Sequence, residues 1–187
     1  NKDIKVSNEL PNTEGFDLFV ECLVNNMSAY FEIKDGEKQL RGDMTERSLL
    51  QFLDNHAKDY NEKKQKKVVK VLAFSSDNKF MSTIVETKPG NYRIYLKGAP
   101  DRVINKCSKI RGENGKIEDI KSKKKDTYKN FADTQSQYAE HNGWRTLCVA
   151  YKDFSSTSIE SDDSEGMEFF EPHLNDFTLL TCLGISD

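Results

Sequence analysis

The five residues whose types and order best suit a binding site are Lys97 to Asp101, Lys-Gly-Ala-Pro-Asp. They follow an alternating apolar run, 92–96, that predicts a strand, and they precede 102–107, which predicts a short helix. Gly98 has no side chain, so a ligand can approach its backbone closely, and a proline suits the first position of a helix. A lysine at a strand end beside bare backbone could hold a nucleotide. The same residues also make an ordinary strand-to-helix turn, so alone they leave both interpretations open.

Three other segments place aromatic or charged residues at the ends of predicted elements. The stretch from Phe74 to Ser82, which contains Lys79, lies between two apolar runs and predicts the turn of a β-hairpin. Gly42 to Glu46 opens a predicted helix, and Gly143 to Leu147 leads into another apolar strand. In this order and spacing the four segments resemble the nucleotide-binding (N) domain of P-type ATPases, for which the Lys-Gly-Ala-Pro motif and the Phe-x-x-x-x-Lys hairpin are the best-known markers.

The resemblance extends over nearly the whole chain and is closest to calcium pumps of the plasma-membrane type. It is strongest from Arg41 to Phe154, weak from Ser155 to Glu171, and present again in the closing stretch Thr181 to Asp187. It implies that residues 1–187 form a single nucleotide-binding domain excised from a larger membrane pump. The implied fold is an α+β domain, a twisted antiparallel sheet flanked by helices.

The resemblance also implies an adenine pocket. Phe74 corresponds to the aromatic residue that stacks on the base, and Glu46 to the acid that accepts a hydrogen bond from the adenine amino group. Lys97 corresponds to the lysine at the pocket floor, where a desolvated stem can contact base and ribose. Without the resemblance, we would interpret Phe74 as a core aromatic residue at a strand end, and Glu46 as an acid that stabilises the first turn of a helix.

Five further positions acquire roles from the resemblance. Lys79 corresponds to a lysine that reaches the nucleotide near the base or the phosphates, and Arg145 to an arginine that reaches the phosphates. Gly98 leaves room for the base or its neighbours to approach the backbone. Leu147 corresponds to an apolar residue beside the base or ribose, although an ordinary core strand explains it nearly as well. Thr45 adjoins the acidic residue of its motif, and capping of the helix is its alternative role.

Composition is typical of one hydrophilic domain with a modest core, because the 187 residues are 36% hydrophobic and 32% charged. No run approaches the roughly 20 apolar residues that a membrane helix needs. The polar N-terminus has no initiator Met, which predicts a start within a longer polypeptide. A net charge of -3 gives a nucleic-acid partner no electrostatic support.

The cysteines and histidines predict no metal site. Cys22, Cys107, Cys148 and Cys182 stand far apart in sequence, and the three histidines are not clustered. We expect reduced, mostly buried thiols in a cytosolic domain. Asn26-Met27-Ser28 matches a glycosylation sequon, which we interpret as a chance match.

Periodicity predicts the order helix, helix, hairpin, strand, helix, helix, strand, loop, strand. Apolar positions from Phe16 to Met27 predict the first helix, and a long polar helix is predicted from 122 to 141. Residues 30–33 predict a short strand that ends at the turn signal Asp35-Gly36, and 147–151 and 177–185 predict further strands. Residues 155–171 are rich in Ser, Asp and Glu and predict a flexible acidic loop, whose Phe169-Phe170 pair packs back on the domain. Hairpins and polar-faced strands in this order favour an α+β domain.

The resemblance implies that the chain binds ATP and presents its γ-phosphate to the phosphorylatable aspartate of a neighbouring domain in a cation pump, most closely a calcium pump. No Asp-Lys-Thr-Gly-Thr motif occurs, so we expect no catalytic residue here and no ATP turnover by the chain alone. The ligand would be Mg-ATP, with magnesium held mainly by the phosphorylation domain. The chain would be a monomeric segment without membrane insertion. Its partners would be the phosphorylation and actuator domains of the same polypeptide, at the cytosolic face of the plasma membrane or of an internal calcium store.

Two alternatives stay open. The first is a pump of the same superfamily with another cargo, such as phospholipid, sodium or protons, because membrane helices set the cargo. The second is an interaction module that keeps the fold and binds no nucleotide; the presence of Phe74, Lys79, Lys97 and Arg145 argues against it. Kinase and P-loop interpretations fail because the chain has neither Gly-x-x-x-x-Gly-Lys-Ser/Thr nor Gly-x-Gly-x-x-Gly.

Overall fold

The computed structural model describes residues 14–57, 59–64, 67–112, 115–120, 137 and 141–185. The helices with described bounds are α1 (Glu14–Asn25), α2 (Met44–His56), α3 (Pro100–Ile104) and α4 (Gly166–Phe170), and short 3-10 helices cover Tyr60–Lys63 and Glu171–His173. The strands are β1 (Tyr30–Lys34), β2 (Glu37–Arg41), β3 (Val68–Leu72), β4 (Phe80–Lys88), β5 (Asn91–Gly98), β6 (Cys107–Arg111), β7 (Ile117–Asp119), β8 (Arg145–Ser155) and β9 (Phe177–Ile185).

Seven strands form one sheet in the order β3-β4-β5-β8-β9-β6-β7, and β1 pairs with β2 as a separate hairpin. Neighbours in the large sheet are antiparallel except β6 and β9, which are parallel. The α+β prediction is therefore confirmed, while the expectation of an antiparallel sheet is wrong at this one pair. Side-chain alternation along a strand carries no information on the direction of its neighbour, so the sequence could not predict the parallel pair.

Helices cover both faces of the central strands. On one face, α1 and α2 share a core with Tyr95 of β5 and Val149 of β8. On the other face, α3 and α4 share a core with Ile94 of β5 and Ala150 of β8. Because both faces are buried, the middle of each strand has apolar residues at consecutive positions, 94–96 in β5 and 147–151 in β8. This is also why their sequences predicted strands so clearly.

Helix α2 begins with a hydrogen bond between its first turn and a capping side chain. Asp43 is the N-cap, and its side chain accepts a hydrogen bond from the Glu46 backbone N at 3.0 Å. Thr45 therefore lies within the first turn, and the alternative that Thr45 caps the helix is wrong. The first helix predicted from the apolar period is confirmed as α1.

The β1–β2 hairpin turns at Asp35 and Gly36, with φ of 53° and 80°. Positive φ at both central residues is the requirement of a type I′ hairpin turn, which asparagine, aspartate and glycine tolerate best. The sequence predicted this turn and the strand before it. The strand after it, Glu37–Arg41, escaped prediction because four of its five residues are polar or charged.

The acidic segment 155–171 lies against the sheet. Phe169 and Phe170 of α4 are buried in the core on the α3 side, which confirms that this pair packs back on the domain. Ile159 is buried with them. Flexibility of the segment stays a prediction, and the long helix predicted for 122–141 lies almost entirely outside the described residues.

Cys148 of β8 and Cys182 of β9 lie directly opposite each other and form a disulfide, with Cα atoms 4.2 Å apart. Cys22 is a buried free thiol and Cys107 a half-buried one. The expectation of reduced thiols is therefore wrong for Cys148 and Cys182. The two cysteines are separated by 34 residues in sequence, and the register of β8 against β9 alone brings them together.

Candidate functional site

Lys97 is the last residue but one of β5, and only 5% of it is exposed. In the sheet register it lies between Met81 of β4 and Val149 of β8. Directly opposed residues share a face, so the Lys97 side chain is on the α1 and α2 face, as Val149 is. A lysine buried to this degree needs partners for its charge.

Glu46 and the backbone of Asn26 supply these partners. Lys97 Nζ donates to Glu46 Oε1 at 2.6 Å and to the Asn26 backbone O at 2.5 Å. The side chains of Lys97 and Glu46 are each 6% accessible, so they form an ion pair inside the protein. Asn26 is itself anchored to β4: its Nδ2 donates to the Met81 O at 3.4 Å, and its Oδ1 accepts from Thr83 Oγ1 at 2.9 Å.

The second carboxylate oxygen of Glu46 is also bonded. Oε2 accepts from the Ser28 backbone N at 2.8 Å, from Ser28 Oγ at 2.5 Å and from the Ala29 backbone N at 3.0 Å. Burial by itself raises the pKa of the Glu46 carboxyl, but the Lys97 charge and the hydrogen bonds from Lys97 and Ser28 outweigh it, so this pKa lies below its ordinary value. Burial lowers the pKa of the Lys97 ammonium, and the Glu46 charge only partly counteracts that effect.

Asn26 and Ser28 were not predicted as site residues. Their tripeptide matches a glycosylation sequon, and we interpreted that match as chance. In the structure, α1 ends at Asn25 and the turn that follows contacts both members of the ion pair. The available signal was a group of polar residues immediately after an apolar helix, which is typical of many helix ends and therefore did not single out this one.

Gly98 joins the hairpin turn to the strand-to-helix turn through the backbone. A Cβ atom at Gly98 would lie 2.4 Å from the Lys79 backbone O and 2.6 Å from Phe80 Cα, which is closer than real Cβ atoms approach. The Ala99 backbone N donates to the same Lys79 O at 2.9 Å. Strand packing therefore requires glycine here. Close approach of a ligand to Gly98, the role expected from the sequence, stays a prediction.

Phe74 and Lys79 lie in the turn between β3 and β4, and both side chains are exposed. Phe74 is 63% exposed, so it is not a core aromatic residue. Lys79 has a φ of 57°, a left-handed conformation that is uncommon for a residue with a side chain. Its backbone N donates to the Ser75 O at 2.8 Å, and its O accepts from Ala99, so the backbone of the turn is held while the side chains are exposed.

β8 carries the two remaining predicted residues. Arg145, Leu147 and Val149 are two positions apart from one another and therefore share a face of the strand. Lys97 lies opposite Val149, so it belongs to the same face. Leu147 is buried in the core with α1 and α2, as the core-strand alternative expects. Arg145 is exposed at the start of the strand, about 13 Å along it from Val149.

The structure brings the predicted residues together to different degrees. Glu46 and Lys97 are in direct contact, and backbone contacts join Lys79 to the Gly98 turn. Phe74 follows the end of β3 and Arg145 begins β8. Because neighbouring strands in this part of the sheet are antiparallel, these two positions lie at the same end of the sheet as the end of β5.

This end of the sheet combines an exposed aromatic ring, exposed cations and a buried ion pair. Since Glu46 neutralises Lys97, an anionic ligand would meet the positive charges of Lys79 and Arg145. A flat apolar ring could stack on Phe74. The arrangement suits a ligand with a flat ring at one end and negative charge at the other.

The described part of the chain contains no group of three or more His, Cys, Asp or Glu side chains that could hold a metal ion. Among the helices with described residues, none is both long and apolar enough to cross a membrane.

Comparison with known proteins gives one family and a set of named relatives. The chain matches the family described as P-type ATPase, cytoplasmic domain N, over residues 17–187. It is 32% identical to plasma membrane calcium-transporting ATPase 4 of Homo sapiens over 150 residues, which are 78% of this chain and 11% of the human protein. It is 33% identical to plasma membrane calcium-transporting ATPase 2 of Oreochromis mossambicus over 196 residues, covering 100% of this chain and 17% of that protein. With plasma membrane calcium-transporting ATPase 1 of Mus musculus the identity is 33% over 172 residues, 89% of this chain and 13% of the mouse protein.

Proposed function

Since this chain belongs to the family of P-type ATPase cytoplasmic N domains, we propose that it binds ATP and presents the γ-phosphate to the phosphorylatable aspartate of a neighbouring domain. The resemblance drawn from the four sequence motifs is confirmed at the level of the family and of its relation to calcium pumps. ATP binding, the roles of the individual site residues and the extent of a single domain over 1–187 belong to the proposal.

The observation that carries the proposal is the buried Lys97–Glu46 ion pair at the end of β5, beside the turn that exposes Phe74. A buried ion pair contributes little net stability compared with well-packed apolar residues of the same volume. A large exposed aromatic ring likewise gains nothing for the fold. A ligand that needs an apolar face and a polar floor explains both features together.

The residues available at this end of the sheet fit the two halves of ATP. Phe74 would stack on the adenine ring, and Glu46 Oε1, which accepts one hydrogen bond from Lys97, has capacity to accept another from the adenine amino group. Leu147 would contribute to the apolar side of the pocket. Lys79 and Arg145 would interact with the phosphates. Arg145 lies about 13 Å along β8 from Val149, the residue opposite Lys97, and a nucleoside triphosphate can span this distance.

In this proposal the chain works as part of a longer calcium-transporting pump. It spans only 11–17% of the length of the relatives described above, so transport would depend on the remaining domains. The neighbouring phosphorylation domain would supply the aspartate and most of the ligands for magnesium. This chain would contribute positioning of the nucleotide and neutralisation of its charge. The names of the relatives favour calcium over other cargo and the plasma membrane over an internal store. The description of the family as a cytoplasmic domain favours the cytosolic face of that membrane.

Calorimetric titration of ATP into the 187-residue chain and its Phe74→Ala variant tests the proposal. We expect weak binding by the wild type and a Kd raised about tenfold in Phe74→Ala, because stacking of a base on an aromatic side chain contributes about 1–3 kcal/mol. AMP should lose affinity by the same factor, because it carries the same base. Thermal stability should stay the same, because Phe74 is 63% exposed.

Ile117→Ala is the matched control, since Ile117 is a 46% exposed apolar residue at the start of β7, on the opposite edge of the sheet. Its ATP affinity should equal that of the wild type. Equal affinity of Phe74→Ala and Ile117→Ala for ATP would refute the adenine role of Phe74. No ATP binding by the wild type at millimolar concentrations would refute the proposed function and favour the interaction-module alternative.

A further inference from the structure

The turn between α1 and β1 contains a residue that organises the acceptor of the proposed adenine contact. Ser28 donates twice to Glu46 Oε2, through its backbone N at 2.8 Å and its Oγ at 2.5 Å. Ser28 itself is exposed, whereas Glu46 is 4% exposed. A surface hydroxyl therefore bonds to a buried carboxylate, at the boundary between solvent and the ion pair.

The hydrogen bonds make the two oxygens of Glu46 inequivalent. Oε2 accepts three hydrogen bonds, two of them from Ser28 and one from Ala29. From the residues that the structure describes, Oε1 accepts one, from Lys97. A carboxylate offers about four acceptor positions over its two oxygens, so Oε2 is saturated and Oε1 is the oxygen with capacity for a ligand.

Rotation of the carboxylate is what Ser28 opposes. The terminal torsion of a glutamate side chain is broad, so a carboxylate held by few donors can turn about it. A half-turn exchanges two identical oxygens and changes nothing, so the quantity that matters is the plane of the carboxylate. The Ser28 Oγ and the backbone N of Ser28 and of Ala29 hold one oxygen, which fixes this plane and directs the other oxygen toward Lys97 Nζ. Loss of the Oγ donor would leave the two backbone donors and allow the plane to turn more freely.

We propose that Ser28 is a positioning residue that fixes the Glu46 carboxylate so that Oε1 accepts from the 6-amino group of adenine, and that it thereby contributes to base selectivity. This inference rests on the proposed ATP function and extends it to a residue in a different segment. Ser28 does not need to touch the nucleotide. Its effect should therefore appear as a loss of discrimination at position 6 of the purine, in addition to any loss of affinity.

The test compares ATP with ITP, which carries an oxygen in place of the 6-amino group. An ionised carboxylate accepts from an amino group and repels a carbonyl oxygen, so the wild type should prefer ATP. In Ser28→Ala the ATP-to-ITP affinity ratio should fall by about threefold to tenfold, since one charge-assisted hydrogen bond to the carboxylate is lost. Ser28→Thr keeps the hydroxyl at an exposed position, so it should restore the wild-type ratio.

Ser48→Ala is the matched control, because Ser48 lies on α2 and its Oγ donates to the Met44 backbone O at 3.1 Å and not to Glu46. Its ATP-to-ITP ratio should equal that of the wild type. Ser28→Cys, a weak donor of similar shape, provides a second variant and should behave as Ser28→Ala does. A purely structural serine would lower the melting temperature in these variants without changing the ratio, and that result would overturn the inference.

The outcomes separate this inference from the proposed function. If the wild type binds ATP and prefers it over ITP, an unchanged preference in Ser28→Ala removes the role of Ser28 alone. Equal affinity of the wild type for ATP and ITP would remove the acceptor role of Glu46 and this inference with it, while leaving ATP binding intact. Absence of ATP binding by the wild type would remove both proposals.

Discussion

The two halves of the proposed site are held in opposite ways. Lys97 and Glu46 are built into the protein, with side chains 6% accessible and hydrogen-bonded to each other and to backbone groups of the turn after α1. Phe74 and Lys79 project from a turn whose backbone is fixed while their side chains are exposed. Changes in the buried half should therefore disturb folding and binding together, whereas changes in the exposed half should disturb binding alone.

This difference affects how binding data on such a site are interpreted. Loss of affinity in a Lys97 variant does not by itself locate the ligand, because the variant also leaves a buried carboxylate without its cation. Loss of affinity in a Phe74 variant does locate it, because the fold gains little from a ring that is 63% exposed. The following predictions test whether the two halves separate in this way.

Replacement of Lys97 by alanine should have the largest effect. It leaves Glu46 buried and ionised without Lys97, and breaking one side of a buried pair destabilises a protein by about 3–5 kcal/mol. The free energy of unfolding, measured by urea denaturation followed by circular dichroism, should fall by about this amount. ATP affinity should be compared only under conditions in which the variant is folded.

The double variant Lys97→Met with Glu46→Gln is the control for this experiment. It removes both charges and keeps similar volumes, so it should regain most of the lost stability while still binding ATP less well than the wild type. If Lys97→Ala unfolds at the same urea concentration as the wild type, the buried half is not integral to the core and the contrast between the halves fails.

Reduction of the Cys148–Cys182 disulfide should have the next largest effect, and on stability alone. A disulfide that closes a loop of this length stabilises by about 2–4 kcal/mol, mainly through the unfolded chain. The native β8–β9 ladder holds the same register without it, so ATP affinity should not change at temperatures well below unfolding. Melting temperature and ATP titration, each with and without a reductant, measure the two effects separately.

A variant with Cys148→Ala and Cys182→Ala should be insensitive to the reductant, which identifies this pair as the source of the change. Cys107→Ser, which retains the disulfide, should remain as sensitive as the wild type. An unchanged melting temperature of the wild type on reduction would mean that the bond does not stabilise the protein. A fall in ATP affinity would mean that the exposed half depends on the anchoring of β8.

Replacement of Lys79 by alanine should have the smallest effect, confined to charged ligands. Exposed ion pairs contribute up to about 1 kcal/mol, so the Kd for ATP should rise by about twofold to fivefold, and less at high salt. AMP, with fewer phosphates, should be affected less than ATP. Lys88→Ala, at the other end of β4, is the control and should leave both affinities unchanged. Equal losses for ATP and AMP would assign Lys79 to the part that the two nucleotides share and not to the β- and γ-phosphates.

Much of the fold followed from local patterns. The period of α1, the turn at Asp35-Gly36, and the apolar runs of β5, β8 and β9 predicted elements that the structure contains. The strands β2, β6 and β7 were not predicted, because they are short and rich in charged residues, and pairing with a neighbour rather than their own pattern makes them strands. Capping of α2 by Thr45, which the sequence left open as an alternative, is wrong because Asp43 is the cap, and the two residue types are both acceptable caps in sequence.

The structure places the predicted motifs at one end of the sheet, and it adds partners that the sequence did not indicate. Glu46 and Lys97 were each identified, yet nothing in their sequence context indicated that they bond to each other. Ser28 and Asn26 were passed over because polar residues after a helix are common. We singled out Gly98 because it leaves room for a ligand, whereas the structure shows that a side chain there would clash with the backbone of Lys79 and Phe80.

The sequence by itself determined the family, the α+β class and the residue types of the proposed site, because these depend on motifs and on periodicities within short segments. Only the tertiary structure decided which of those residues are partners. The Lys97–Glu46 pair and the Cys148–Cys182 disulfide join positions that are distant in the chain, and their contact depends on strand register and on where helices pack. Such contacts arise from burial of several elements together, which no single segment encodes.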